Sequence, residues 1–309
     1  MLGYVAEPMP SALLNRRLIF VTGKGGVGKT TVALALGLLG SQAGKRTIVA
    51  DISGEGDLQE RRLAPGLFRI SVDPQGAMEE YLSVKVPGPA AAALRQSRLF
   101  HTFAMATPGM RELLCMGKLW ELAQFERRTP DADAYDLVIV DAPASGHGAA
   151  LLRTPRTFAE IARVGPIAHQ ARTIADTIAD PTFTAAVAVC TPEEMPINET
   201  FELRDALAGA ADPVQLHAVI LNARFPDRFS AADAEQLADA LAGSAAAGRA
   251  TDRPALEVAL AEHRRARAQA AQEQRLRAEF GERLRVLPYL FQPSIELPQI
   301  ELLAQGLAE

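Results

Sequence analysis

The sequence predicts an α/β fold: a doubly wound, mostly parallel sheet with a helical insertion after the second strand. Three observations carry this. Six apolar runs of strand length recur along the chain, helical stretches separate most of them, and one segment, 74–130, breaks the rhythm without a strand signal.

The first run is Leu18-Ile19-Phe20-Val21, apolar throughout, as a strand buried on both faces should be. Gly23-Lys24-Gly25-Gly26-Val27-Gly28-Lys29-Thr30 follows, and then a helix-like run from Thr31 to Leu36. The second strand is expected at Thr47 to Ile52. The 74–130 segment comes next, rich in Ala, Leu and Met and punctuated by Pro87-Gly88-Pro89 and Pro108-Gly109. Further strands are expected at Asp136 to Val140, Ala185 to Cys190, His217 to Leu221 and Leu284 to Leu287. Residues 230–285 are helical, with arginines and glutamates interleaved as on a solvated helix face rather than a basic patch. Residues 1–309 are read as a single domain, with 74–130 as a helical insertion subdomain within it.

At 309 residues the chain can bury about three quarters of its unfolded surface, so disulfides are not needed for stability. Cys115 and Cys190 form no C-x-x-C pair, and free buried thiols suit a reducing cytoplasm, the expected location. The net charge of −5 argues against non-specific nucleic-acid binding. Met1 to Arg17 makes a poor signal peptide, and no run approaches the length of a membrane span, so no stable membrane insertion is expected.

Residues 23–30 fit G-x-x-x-x-G-K-[ST] at every fixed position, between a strand and a helix. That order lets backbone N–H groups surround phosphate oxygens at a helix N-terminus. Gly23, Gly25, Gly26 and Gly28 permit the turn and close approach, with Val27 and Thr31 completing the contact surface. Lys29 would reach the β- and γ-phosphates and the Thr30 hydroxyl would hold Mg²⁺. Asp141 ends the strand Tyr135-Asp136-Leu137-Val138-Ile139-Val140, where an acid faces the metal beside such a loop. The expected cofactors are therefore a nucleotide and Mg²⁺. Lys24 is a second lysine that an ordinary phosphate loop does not need. It is either a solvated surface residue or a cation reaching across a dimer interface to stabilise transition-state charge in trans.

K-G-G-x-G-K-T resembles the deviant Walker A loop of the MinD, ParA and nitrogenase-iron-protein class, whose members are nucleotide-dependent dimers. Downstream, Asp141, Gly146, His147, Leu152 and Pro155 match without a gap the switch segment of the arsenite-pump and tail-anchored-protein-targeting ATPases. Pro196-Ile197-Asn198-Glu199-Thr200 is similar to that family's P-x-x-E-T, and Val219 to Asn222 to its base-specifying strand end. The resemblance runs over residues 17–298 and extends to an actinobacterial branch whose members occur as paired, non-identical subunits. It implies a dimeric ATPase that binds ATP and ADP, as a homodimer or as a heterodimer with a related ATPase subunit. Asn222 would select adenine, since its amide can donate and accept, or would only cap a turn. Pro288 belongs to a loop that resembles the one closing over the base.

Two departures qualify that resemblance. A gapless reading puts Ser53 where the family carries a water-orienting aspartate, and a serine cannot act as a base near neutral pH without help. Loss of a general base costs roughly 10²–10⁴-fold in rate, so slow turnover is expected, with Asp51, Glu55 and Asp57 as substitutes. The alternative is a pseudo-ATPase subunit beside a catalytic partner. The targeting members' groove for a hydrophobic protein client has a counterpart in Met78, Met105, Met110 and Met116. Met110, Leu113, Leu114, Gly117 and Trp120, however, follow the spacing of a helix facing the core, which favours core packing. The family's zinc C-x-x-C is missing, and the arsenite pump's clustered thiols reduce here to Cys115.

Overall fold

The computed structural model describes residues 10–52, 58–85, 105–129, 132–143, 148–162, 164–209, 214–246 and 253–309, with 97 and 102. Ser53, Glu55, Asp57, Pro87-Gly88-Pro89, Gly146 and His147 lie outside the described residues.

All six expected runs form strands: β1 (Leu18–Thr22), β2 (Thr47–Asp51), β5 (Leu137–Asp141), β6 (Thr184–Cys190), β7 (Leu216–Arg224) and β8 (Leu284–Pro288). A hairpin that the apolar pattern did not signal, β3 (Arg61–Ala64) and β4 (Leu67–Ser71), adds two more. The sheet order is β3-β4-β2-β5-β1-β6-β7-β8. Among the described residues only β3 and β4 pair antiparallel; every other neighbouring pair is parallel. The 74–130 helices therefore follow β4 rather than β2. In β3, Arg61, Arg62 and Leu63 are exposed, so this edge strand lacks the buried signature that revealed the others while its charges discourage pairing with another chain.

Both faces of the sheet are covered. Ile19, Val21, Val49 and Ile139 point to one side, against α2 (Lys29–Gln42) and the C-terminal helix Leu297–Ala308. Leu18, Phe20, Ile48 and Val138 point to the other. There they meet Met110–Leu122, Gly148–Ala162, Pro166–Ala179, Glu194–Ala208 and Arg253–Phe280. The period-two alternation on central strands is what lets one apolar run serve two cores.

In chain order the helices are α1 (Ser11–Leu14), α2, α3 (Pro74–Lys85), α4 (Met110–Leu122), α5 (Gly148–Ala162), α6 (Pro166–Ala179), α7 (Glu194–Ala208), α8 (Ala231–Ala246), α9 (Arg253–Phe280) and α10 (Leu297–Ala308). On α4, Leu113, Met116, Leu119 and Trp120 are in the core, and Trp120 Nε1 donates to Thr177 Oγ1 at 3.0 Å. Met110, Leu114 and Gly117 instead line a shallow apolar cavity of about 100 Å³ with Tyr81 and Ile167. The strand order reverses at β1, whose parallel neighbours β5 and β6 lead to opposite ends of the sheet, and the loop after β1 opens at the carboxyl edge where such sheets bind ligands.

Candidate nucleotide site

Thr22 ends β1 and Lys29 begins α2, so residues 23–28 must turn the chain sharply over the sheet edge. Gly23 sits at φ 144°, and a Cβ there would lie 2.1 Å from the carbonyl oxygen of Val189 on β6. Gly28 is the helix N-cap at φ 89°, and a Cβ there would meet Asn222 Nδ2 at 2.3 Å. Both positions admit only glycine. Val27, buried, pins the loop to the core, while Gly25 and Gly26 are exposed. The N-terminus of α2 has no side-chain cap and no acidic residue in its first turn. Its leading N–H groups and the positive end of its dipole are thus offered to an anion.

Lys29 is 8% exposed, and its ammonium donates to the backbone oxygen of Lys24 at 2.9 Å. Burial lowers its pKa, and Asp141 opposes that shift. The Thr30 hydroxyl donates to Asp141 Oδ2 at 2.6 Å. Asp141 is 6% exposed. Burial pushes its carboxyl above the ordinary range; the Thr30 bond works against this, the Asp51 charge adds to it, and Lys29 and Arg69 oppose it. Asp51 and Asp141 are register partners on β2 and β5, and Arg69 on β4 binds Asp51 at 3.1 Å. Gly26, Gly28, Lys29, Thr30, Asp51 and Asp141 line a cavity of about 390 Å³.

The donor set suits a magnesium–nucleotide pair. A hydroxyl and a carboxylate already at bonding distance are hard oxygen ligands of the kind Mg²⁺ takes, with phosphates and water completing its shell.

Asn222 lies in β7, just before Ala223 at φ 62°, and its Nδ2 donates to the carbonyl of Val27 at 2.9 Å. Its amide thereby ties the phosphate loop to the strand end. Pro288 ends β8 as the register partner of Arg224, with Tyr289 stacked on Phe225 at 4.4 Å between centroids. Neither Asn222 nor Pro288 is among the residues lining the cavity around Lys29. Thr31 is half-buried in the first turn of α2. Lys24 points back to its own chain: its ammonium donates to Glu199 Oε1 at 2.8 Å and contacts Met195 Sδ. Of the expected substitutes for Ser53, Asp51 alone lies among the described residues.

The sequence reading misses Arg69 as a participant and misses the pairing of Lys24 with Met195 and Glu199, although Glu199 lies within P-x-x-E-T. Arg69 sits on the unforeseen β4, although the Pro65-Gly66 turn between two short runs was its signal. Glu199 and Met195 are one helical turn apart on α7, which places both toward the loop, but nothing local names Lys24 as their partner.

Cys115 and Cys190 are free and buried, and burial pushes each thiol up to about 12. No helix among the described residues is long and apolar enough to cross a membrane.

A glycine loop entering an uncapped helix, beside a strand-end aspartate at the carboxyl edge of a parallel sheet, defines a phosphate-loop nucleotide-binding protein. Residues 16–165 and 160–240 match the anion-transporting ATPase family, and this chain belongs to it. It is similar to the ATPase BagA of Mycobacterium tuberculosis, 28% identical over 248 residues, 74% of this chain and 72% of the relative. A putative ATPase of Mycobacterium bovis matches to the same extent. The ATPase GET3 of Chaetomium globosum is 23% identical over 271 residues, 71% of this chain and 77% of the relative. Nucleotide binding by an ATPase fold is thus the family's common property.

Proposed function

We propose that the chain is a Mg·ATP-dependent switch that acts as a dimer and hydrolyses ATP slowly. One observation carries it: Thr30 and Asp141 are joined at 2.6 Å in the cavity that holds Lys29, under the open N-terminus of α2. Lys29 and the loop amides hold the phosphates, Thr30 and Asp141 hold Mg²⁺, Asn222 favours adenine, and Lys24 serves the partner's nucleotide. Bound Mg²⁺ would supply charge neutralisation at the phosphate oxygens. The test is calorimetry: Lys29→Ala should lose ATP affinity, whereas Lys24→Ala should keep it and lose ATP-driven pairing or turnover. Equal ATP affinity in wild type and Lys29→Ala would sink the assignment.

Ser53 favours a second reading, an ATP-holding subunit of a heterodimer with a related ATPase. Asp51 is the nearest described acid in sequence, and its carboxylate is already engaged by Arg69 at 3.1 Å. Ser53→Asp should then raise turnover by about 10²-fold or more, and a related subunit should co-purify from the native host. Brisk wild-type turnover speaks against it. The apolar cavity on α4 measures about 100 Å³ among the described residues, smaller than the roughly 300 Å³ of small-molecule pockets.

A further inference from the structure

We propose that Glu199 is a positioning residue for Lys24, keeping that cation inside its own subunit until pairing draws it out. This rests on the dimeric reading of the nucleotide site.

Lys24 Nζ lies 2.8 Å from Glu199 Oε1 and also touches Met195 Sδ, so α7 offers it a charge and a soft, polarisable surface one turn apart. The fold fixes where that offer is made. Gly23 packs directly on the Val189 carbonyl, and the chain runs from β6 through Thr191, Pro192 and Glu193 into α7. Ile197 is fully buried and the Thr200 hydroxyl bonds the Pro196 carbonyl at 2.8 Å, so the first turns of α7 are anchored. The start of the phosphate loop and the helix that holds its lysine are therefore both set by β6.

Glu199 depends on that lysine. Its second oxygen, Oε2, is buried without a hydrogen-bond partner among the described residues. When Lys24 leaves, the carboxylate loses its charged donor while one oxygen is already unsatisfied, which favours the paired state. Both side chains are about one third exposed, at 31% and 35%, so water screens the pair in part, and the buried Oε2 is what sets it apart from an ordinary surface pair.

The loop also links this contact to the phosphate site. Lys29 donates to the backbone oxygen of Lys24 at 2.9 Å. Phosphates that claim the Lys29 ammonium remove that bond and free the backbone at position 24. Binding in the cavity thus loosens Lys24 first, and the partner's nucleotide then competes with Glu199 for it.

The test uses the full-length chain in two stages. In the nucleotide-free protein, acylation of Lys24 by an N-hydroxysuccinimide ester is followed by mass spectrometry in wild type, Glu199→Gln and Glu202→Gln. Lys24 should react about two- to fivefold faster in Glu199→Gln, and at the wild-type rate in Glu202→Gln, a change on the same helix. Glu199→Asp, which retracts the carboxylate, should fall between and guards against misfolding of the amide variant. Equal Lys24 rates in all four proteins overturn the proposal. Sedimentation with Mg·ATP should then show Glu199→Gln pairing about two- to fivefold more tightly, with ATP affinity unchanged and the gain lost in Lys24→Ala. Weaker pairing in Glu199→Gln also overturns it, because Glu199 would then be an interface contact. ATP binding without pairing in every variant removes the dimeric reading alone, and the acylation rates still decide whether Glu199 holds Lys24.

Discussion

Asp141 at the tip of β5 and Glu121 near the end of α4 are buried alike, at 6% and 7% exposure, yet their surroundings treat them in opposite ways. Glu121 accepts from Lys118 Nζ at 3.0 Å, from Arg127 Nε at 2.8 Å, and from the Arg128 amide and the Thr129 hydroxyl. The network reaches outward through Glu80 on Lys118 and Glu60 on Arg127, and Tyr135 donates to Glu60 at 2.6 Å. Burial pushes the Glu121 carboxyl up, but the bonds and charges of Arg127 and Lys118 outweigh it and hold it below the usual range. Asp141 has the Thr30 bond and more distant cations against burial and the neighbouring Asp51, and its carboxyl stays raised. One carboxylate closes a network that holds the α4 region together; the other is kept at an energetic disadvantage that a bound cation would relieve.

The largest effect should come from opening the closed network. Glu121→Ala leaves Lys118 and Arg127, with side chains 6% and 1% exposed, without their shared counter-charge. A loss of about 3–5 kcal/mol is expected by chemical denaturation, with ATP affinity of the folded fraction unchanged. If stability holds, the network is not what secures α4.

Gly28→Ala tests the other region at intermediate size. The methyl would meet Asn222 Nδ2 in a left-handed backbone, costing about 1–3 kcal/mol. It would push the amide off Val27, so ATP affinity should fall at least about tenfold. Wild-type affinity in this variant would mean that the loop geometry does not govern binding.

The smallest effect separates the two carboxylates by sign. Folded Asp141 keeps its proton to higher pH than the unfolded chain. Its contribution therefore favours the fold below the ordinary value of 3.8 and is lost as pH rises through the raised one. Folded Glu121 titrates below its ordinary 4.5, so its contribution is present above that value and is lost as pH falls through the lowered one. Asp141→Asn, nucleotide-free, should thus gain melting temperature relative to wild type as pH rises, while losing the Mg²⁺ dependence of ATP binding. Glu121→Gln should approach wild type as pH falls. Parallel profiles for the two variants would erase the distinction.

How much of this the sequence reveals follows from range and burial. The central strands are legible because a strand buried on both faces is apolar throughout, and the phosphate loop because its chemistry is packed into eight consecutive residues. β3 is not, since an edge strand with exposed arginines shares its composition with a loop, and β4 is not, since its five residues mix buried and half-buried positions around Arg69. Lys24 stood out as surplus, but its hold on Glu199 spans 175 positions and arises only because β6 lies beside β1. Asn222 was read for the base; its bond to Val27 adds a role in shaping the loop that a strand-end asparagine does not announce.

The most direct test is the melting shift produced by Mg·ATP at about 100 times Kd in wild type and Lys29→Ala at matched concentrations. The account predicts about 2.7 kcal/mol of stabilisation in wild type and none in Lys29→Ala. An equal shift in both proteins, or no shift in wild type, would contradict it.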